Sequence, residues 1–481
     1  MSTLRMTGLD GEPVRVTQQA LAALAKKMEA PLLRPGDAGY IEATTIWNGM
    51  VRRRPALVVQ PVSGAEVAEA VRFAHAHGLL LSIKGGGHNV GGTALADGGL
   101  TVDMSRLRWV EVDPVRRLAH VGPGCLLGDV DRATQPHGLA TVLGMISLTG
   151  VAGLTLGGGF GNLSRRFGWT VDNLEEVEIV TADGRLGRAA ADEREDLFWA
   201  LRGGGGNFGA VTRFSFRLHD IGSLMTGGMI AWDAEDFDAV ATLYRDLCAT
   251  APRELSLHLI MQLAPATALI PDVWRNRPIV AVVACHTGSE SAAAKDLAPL
   301  RALGTPIVDT ITRKPYVEQQ RTFDAGQPDG LHQYWKSEFL PGLPDGLFDM
   351  FRKHAAEITA PMCQLWLAQL GGAAADLGNE STPFGNRDAE YICLIASGSP
   401  PDAPDGPRRR EWARTAWEAI KPYSTGGNYI NVQTTDDDDL RIRQAYGANL
   451  DRLARVKSAY DPDNLFRVNR NIRPAAVVSA P

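Results

Sequence analysis

Cysteine is scarce in this chain: five in 481 residues, none spaced C-x-x-C, so neither a disulfide framework nor a cysteine-based zinc site is written into it. A reducing compartment, the cytoplasm, is the expectation. Long apolar runs are missing as well. No stretch of about 18 apolar residues occurs, which leaves nothing to cross a membrane as a helix, and Met1 to Pro13, with Arg5, Asp10 and Glu12, lacks the apolar core of a signal peptide. Positive charge is not in excess either. The 49 Lys and Arg against 55 Asp and Glu give a net charge of −6, so there is no electrostatic footprint for nucleic acid. The clusters Arg52 to Arg54 and Arg408 to Arg410 read as solvated faces. Hydrophobic content of 44% and charge of 22% are ordinary globular values, and the length calls for two packed domains around one ligand.

Glycine, by contrast, is plentiful and clustered. The run Lys84-Gly85-Gly86-Gly87-His88-Asn89-Val90-Gly91-Gly92 can form a concave nest of main-chain N–H groups for an anion, with one imidazole beside it. Gly150 to Asn162 is a second such segment and Gly203 to Gly209 a third. Together they suggest one large, phosphate-bearing ligand. A Rossmann fingerprint fails on spacing: from Gly85 the third position is Val90, from Gly122 it is Leu127, and from Gly157 it is Asn162. Only Gly204, Gly206 and Gly209 fit, and they follow a helix-like Asp196 to Arg202 and precede a strand-like Ala210 to Phe216, the reverse of what the motif needs. A P-loop fails because neither Lys336 nor Lys457, the lysines followed by Ser, is preceded by Gly.

Short strands and helices alternate in the first region. Leu57 to Val59 reads as a strand, Ser63 with Glu66 as a capping box for a helix burying Val67, Ala70, Val71 and Ala74, and Leu79 to Ile83 as the strand that delivers His88. Leu100 to Asp103, Trp109 to Val112 and Leu118 to Val121 add sheet. From about Ser223 the glycine loops cease. Met229 to Trp232, Leu257 to Met261 and Ile279 to Cys285 read as strands, and Thr287 to Glu290 opens one of the amphipathic helices between them. This suits an antiparallel sheet covered on one face, with the other free to roof a ligand. Ser399 to Pro407 is a loop. Asp436 to Asp439 precede Leu440, Tyr446, Leu450 and Leu453 at helical spacing and read as a helix start rather than a metal site. The expected division is 1–222 for a cofactor domain with its core at about 51–221, 223–425 for a substrate domain, and 426–481 for a returning C-terminal segment.

Four motifs then carry a family resemblance. Lys84 to His88, Thr149 to Gly159, Leu197 to Gly209 and Asn469-x-Asn471, the last preceded by Tyr460-Asp461-Pro462-Asp463-Asn464-Leu465-Phe466, resemble the berberine bridge enzyme-like branch of the vanillyl-alcohol-oxidase flavoproteins over nearly the whole chain. The resemblance implies an α+β architecture: a PCMH-type FAD-binding domain of two subdomains, and a substrate domain with an antiparallel sheet covered by helices. It implies FAD held by a covalent 8α bond through His88. Part of the family adds a cysteinyl bond eleven residues before the triple glycine, and 157 − 11 = 146 is Ile146, so a single tether is expected. Cys125 reads as a buried structural thiol. The cofactor-binding set implied is Lys84, Gly85, Gly86, Gly87, His88, Asn89, Val90, Gly91, Thr149, Gly150, Gly153, Leu154, Gly157, Gly158, Gly159, Gly161, Asn162, Gly209, Val211, Asn469 and Asn471, with no metal. Thr149 stands where the family gates oxygen.

The remaining candidates serve proton chemistry. Tyr429 stands where alcohol-oxidising members place a tyrosine, and alternation would put Tyr429 and Asn431 on one face of a strand. A free phenol titrates near 10. A cation must lower it, and Lys336, beside Tyr334 in a polar and aromatic strand, is the candidate. The expected activity is oxidation of an alcohol, sugar or amine by hydride transfer to FAD, with oxygen as acceptor and hydrogen peroxide as product. The alternatives are a secondary-metabolite tailoring flavoenzyme, a dehydrogenase with another acceptor, and a flavin-carrying binding protein without turnover. Partners are a small-molecule substrate and oxygen, without nucleic acid or membrane, and the oligomeric state is open.

Overall fold

Strands of a parallel sheet are covered on both faces, and Leu57–Val59, Leu100–Asp103 and Leu81–Lys84, almost wholly buried, pair in that order as a parallel sheet. This is a computed structural model describing residues 3–476. The helix Gly64–Ala76 covers the sheet, burying Val67, Ala70, Val71 and Ala74. Ser63 starts it by accepting from the Glu66 N–H. The reciprocal half of the expected capping box is absent: the Glu66 carboxylate instead accepts from Val62 N at 3.0 Å and Glu29 N at 3.1 Å, because those N–H groups of the incoming chain lie within its reach.

A second, five-stranded antiparallel sheet runs in the order Leu186–Ala190, Leu174–Val180, Ala210–Arg217, Leu118–Val121 and Val110–Asp113. Its core includes Tyr446, Leu453, Val456 and Ile472 from the end of the chain. The returning segment is therefore packed into the first half of the molecule. The turn after the helix Leu450–Tyr460 is held by Asp461, whose carboxylate accepts from the N–H groups of Leu465 and Phe466 and from Lys457. Both charges of that last pair are buried, and each has partners besides the other: the carboxylate takes these N–H groups, and the Lys457 ammonium donates to Asn207 O at 2.7 Å and Phe466 O at 3.0 Å.

The third sheet is antiparallel throughout. Its order is Val308–Asp309, Met225–Asp233, Pro278–His286, Leu255–Leu263, Cys363–Gln369, Tyr391–Ser399 and His332–Leu340, with Thr312–Lys314 beside Met225–Asp233. The helices Phe237–Thr250, Glu290–Ala302, Asp345–Ala355 and Gly406–Ile420 cover one face. Strand period two sends alternate residues to opposite faces. Tyr334 and Leu340 join the helical side, while Trp335 and Phe339 join the cluster on the other, which contains Trp47, Trp366 and Tyr429. The strand Tyr391–Ser399 ends as expected before a loop, and the next helix begins at Gly406.

His332–Leu340 is an edge strand. Open edges need cover, and residues 425–429 supply part of it: Thr425 N donates to Phe339 O at 2.9 Å, Phe339 N to Gly427 O at 3.3 Å, and Tyr429 N to Ser337 Oγ at 3.1 Å. The chain thereby wraps from the helical side of the sheet to its bare side. No helix among the described residues is long and apolar enough to cross a membrane.

Candidate active site

The bare side of the large sheet faces the two smaller sheets across a cavity that is continuous with solvent. Its lining runs from the three glycine loops to the tryptophans of the roof and the returning C-terminal segment, an extent that suits a large cofactor with a substrate beside it. Strand Leu81–Lys84 delivers the glycine loop to its wall. Among the described residues no acceptor meets the N–H groups of residues 86–91. A row of unpaired main-chain donors is the feature of an anion-binding nest. Gly86 and Gly150 touch backbone to backbone, and a Cβ on Gly86 would lie 2.5 Å from the Gly150 Cα, so glycine at both positions brings the two loops together. A Cβ on Gly153 or Gly206, both in the lining, would meet open space within 4 Å. These glycines leave a groove for a ligand.

His88 stands in this wall. Its ring stacks on Trp47 with centroids 4.3 Å apart and planes 12° apart, and its Nε2 is buried without a partner. Burial drives the imidazole down to about 4, so it is neutral at pH 7 and keeps a lone pair. The rest of the lining includes Gly85, Gly86, Gly87, Asn89, Val90, Ile146, Thr149, Gly150, Gly153, Leu154, Gly157, Gly209, Val211, Asn469, Tyr429 and Asn431. No cysteine is among the lining residues. Cys125 is buried elsewhere, its thiol donating to Trp109 O at 3.1 Å and pushed up to about 11 by burial.

Other expected site residues lie outside the lining. Lys84 points into the sheet and binds Asp103 at 3.1 Å. Gly91 is packed against the Arg470 guanidinium. Gly158 and Gly159 have φ of 111° and 79° and turn the chain away, so that Gly161 abuts Leu143 O and the Asn162 amide donates to Gln320 at 2.8 Å. Asn471 is likewise outside, with a buried, unpartnered Oδ1.

Lys336 and Tyr334 are the larger correction. Both lie on the helical side of the sheet, opposite to the cavity. Lys336 Nζ contacts Asp437 Oδ1 at 2.8 Å, Asp436 Oδ1 at 2.9 Å and Thr434 Oγ1 at 2.9 Å, and Tyr334 Oη donates to Asp436 at 2.9 Å. Asp436 and Asp437 are therefore ion-pair partners, and it is Asp438 that caps the helix Asp439–Tyr446 by accepting from Arg441 N. Alternation along His332–Leu340 decides the matter: Lys336 and Trp335, neighbours on the strand, point to opposite faces. Trp47, Trp335, Trp366, Phe160, Tyr446 and Arg470 line the cavity and were not expected. Trp335 could have been found as the opposite-parity neighbour of Lys336. Trp366 and Phe160 carry no local signal.

Tyr429 is not on a strand, since Ile430–Val432 is a single 3₁₀ turn. That turn still brings the pair together. Tyr429 Oη accepts from Asn431 Nδ2 at 2.9 Å and from Gly159 N at 3.0 Å. With both lone pairs engaged, the hydroxyl hydrogen is the free valence, and burial pushes the phenol up to about 12. It is a neutral donor at physiological pH. Tryptophan faces that would hold a flat ring, a nest of main-chain donors that would hold phosphates and a neutral imidazole within that nest form a set of residues that fits FAD.

Comparison with known proteins agrees. The family described as FAD binding domain matches residues 55–190, and the one described as Berberine and berberine like matches residues 428–473. An FAD-linked oxidoreductase of Dictyostelium discoideum is 30% identical over 465 residues, covering 95% of this chain and 97% of the relative. The (R)-6-hydroxynicotine oxidase of Paenarthrobacter nicotinovorans is 31% identical over 471 residues, covering 94% and 99%. The crystal structure of 6-hydroxy-D-nicotine oxidase from Arthrobacter nicotinovorans matches with a TM-score of 0.82 at 28% identity, covering 92% of this chain and 98% of its own. With the glycine-loop histidine, the aromatic roof and the returning C-terminal segment in one cavity, the chain belongs to the berberine bridge enzyme-like family of FAD-linked oxidoreductases.

Proposed function

We propose that this protein is an oxidase of a small, largely apolar amine, with FAD held by one covalent bond through His88 and oxygen as the electron acceptor. The observation that carries the substrate class is the hydrogen bonding of Tyr429. A phenol whose two lone pairs are taken and whose pKa is about 12 donates to a substrate atom and does not act as a resting base. An alcohol must lose its O–H proton as hydride leaves carbon, and so needs a base. A neutral amine needs none, because its own lone pair supports the departing hydride. The wall agrees: Trp335, Trp366, Phe160 and Leu394 face the cavity, and no carboxylate lines it to hold an ammonium ion.

When bound, the flavin supplies a two-electron acceptor for the substrate C–H hydride, and oxygen then takes those electrons with two protons to give hydrogen peroxide. The chain's own residues do the rest. Tyr429, held by Asn431, donates to a polar atom of the substrate other than the reacting nitrogen, the tryptophans exclude water, and the substrate iminium left behind is hydrolysed outside. His88 is neutral and unpartnered, as a nucleophile toward the 8α-methyl carbon must be, and Ile146 offers no second tether. Thr149, half-buried in the lining, leaves oxygen a path. We divide the chain at 222 and 425, in keeping with the separate cores, and place it in the cytoplasm, which suits five buried free thiols.

A peroxide-coupled screen of secondary and tertiary amines against matched alcohols and oligosaccharides tests the reading. Peroxide from amines alone is expected. Turnover of alcohols or sugars alone overturns the substrate class, and flavin reduction without peroxide replaces the oxidase with a dehydrogenase.

A further inference from the structure

Apart from His88, one side chain in the cavity lining is basic. Arg470 stands between the two asparagines of the C-terminal motif, half-buried. One arm of its guanidinium donates to Gln433 O, and its Nε is buried without a partner. The head lies against the glycine nest: a Cβ on Gly91 would be 2.7 Å from Nη2. Asp437 is the carboxylate nearest in effect, but it already holds Lys336 at 2.8 Å and stands 3.8 Å from Arg441. Burial weakens the Arg470 proton affinity, as expected for a cation with too little negative charge around it.

Tyr446 stands close enough to Arg470 to act on its charge. The side chain is 2% exposed, lines the cavity, and its Oη is buried with no partner. It faces the third glycine loop, 3.8 Å from where a Cβ on Gly205 would stand. Asn207 ties the two walls together, since its amide donates to Gly204 O at 2.8 Å and Arg470 O at 3.2 Å. Asn469 does the same from its side, donating to Gly206 O at 3.0 Å. An unneutralised guanidinium, a phenol with no acceptor and a row of N–H groups with none thus converge on one part of the cavity. Apart from the Asn469 Oδ1, the unpartnered side-chain atoms there are donors, so a multiply charged acceptor suits them.

The geometry points to Arg470 and Tyr446 as the side chains that hold the diphosphate of FAD, opposite the main-chain nest of residues 86–91. This rests on the FAD assignment and adds to it. Main-chain donors alone fix a phosphate's position but carry no net charge; a guanidinium supplies it, in a planar fork that suits phosphate oxygens.

The test uses full-length protein in an H88A background, where the covalent bond cannot form and flavin binding is an equilibrium. Dissociation constants are measured for FAD and for riboflavin, which has the same ring and no phosphate. R470M should weaken FAD by roughly 10- to 100-fold, as loss of a charge-assisted hydrogen bond does, and leave riboflavin unchanged. Y446F should weaken FAD by up to about tenfold, and R470K should fall between wild type and R470M. FAD affinity should decline with salt when Arg470 is present and lose that dependence in R470M. Equal weakening of FAD and riboflavin would overturn the assignment in favour of a ring or structural contact, and an unchanged FAD affinity would overturn it outright. Should R470M not fold, the R470K and Y446F ratios of FAD to riboflavin decide in the same way. Wild-type protein purified without any flavin is a different result, which removes the FAD reading itself.

Discussion

Trp47 and His88 form a parallel stack, 4.3 Å between centroids, with the free Nε2 of the imidazole buried beside them. The indole excludes water from the ring that must be neutral to act. In H88A, flavin should therefore leave with the supernatant when the protein is precipitated with acid, where the wild-type pellet stays yellow. W47A should attach flavin more slowly, followed as acid-stable yellow colour after mixing apoprotein with FAD. Acid-stable flavin in H88A would sink the tether.

The Tyr429 hydroxyl, with both lone pairs engaged, is expected to bind substrate rather than to take its proton. Y429F should slow flavin reduction and raise KM by about tenfold, the worth of one hydrogen bond. The pH profile of kcat/KM should rise with pH through the substrate amine's own pKa, since only the unprotonated amine has the lone pair that supports the departing hydride, and that limb should be the same in Y429F. Stopped-flow reduction across pH 6 to 10 gives both. A limb that disappears in Y429F would make the tyrosine a base.

Lys336 acts from behind the roof. Its contacts with Asp436 and Asp437 pin the strap that carries Tyr429 around the edge strand. Removing one partner of a buried ion pair costs about 3–5 kcal/mol. K336M should lower Tm clearly and slow flavin reduction, while K336R recovers part of both. Flavin attachment, which depends on another wall of the cavity, should persist.

Buried histidines set the acid limit. His258 lies on the cavity side of the large sheet, against Trp366, with both ring nitrogens unpartnered, and burial drives it down to about 4. The unfolded value is near 6.5, so the unfolded chain binds this proton first as pH falls. Stability from the neutral ring is complete above about 6.5 and is lost between 6.5 and 4. His88 and His219 act in the same direction. Asp131 acts in the opposite sense: its carboxyl is raised to about 7 by burial, so its contribution is present below the unfolded value of 3.8 and is lost as pH rises to 7. H258Q should flatten the fall in Tm between pH 6.5 and 4, and D131N should raise Tm at pH 8 but not at pH 3.5. Thermal unfolding over that range checks both signs.

Trp366 is fully buried among the roof residues and reaches the cavity. W366A should cost about 3–5 kcal/mol of stability and, in protein that remains folded, raise KM for bulky apolar amines more than it changes kcat. An unchanged KM across substrates of different size would remove Trp366 from the substrate wall.

Much of the first domain was legible because its signals are local. The glycine nest, the Ser63 helix start and the parity of the strands around His88 depend on neighbours in sequence, and the four motifs act as separate markers. Tyr429 and Asn431 do meet at the cavity, although their strand is a 3₁₀ turn, since the turn and the strand both bring residues two apart together. Lys336 was misread for a different reason. A buried lysine on a strand presents the same letters whichever face is wet, and the partners that decide its role, Asp436 and Asp437, lie a hundred residues away in sequence.

By itself, the sequence determined the kind of ligand and the imidazole beside it: glycine's lack of a side chain and the chemistry of one imidazole are properties of the residues wherever they sit. Only the tertiary structure decided which face of the roof strand meets the cavity, that Tyr429 carries two incoming hydrogen bonds, and that Arg470 and Tyr446 turn unpaired donors to the same space. Those are relations between surfaces brought together by long-range packing, and no periodicity along the chain encodes them.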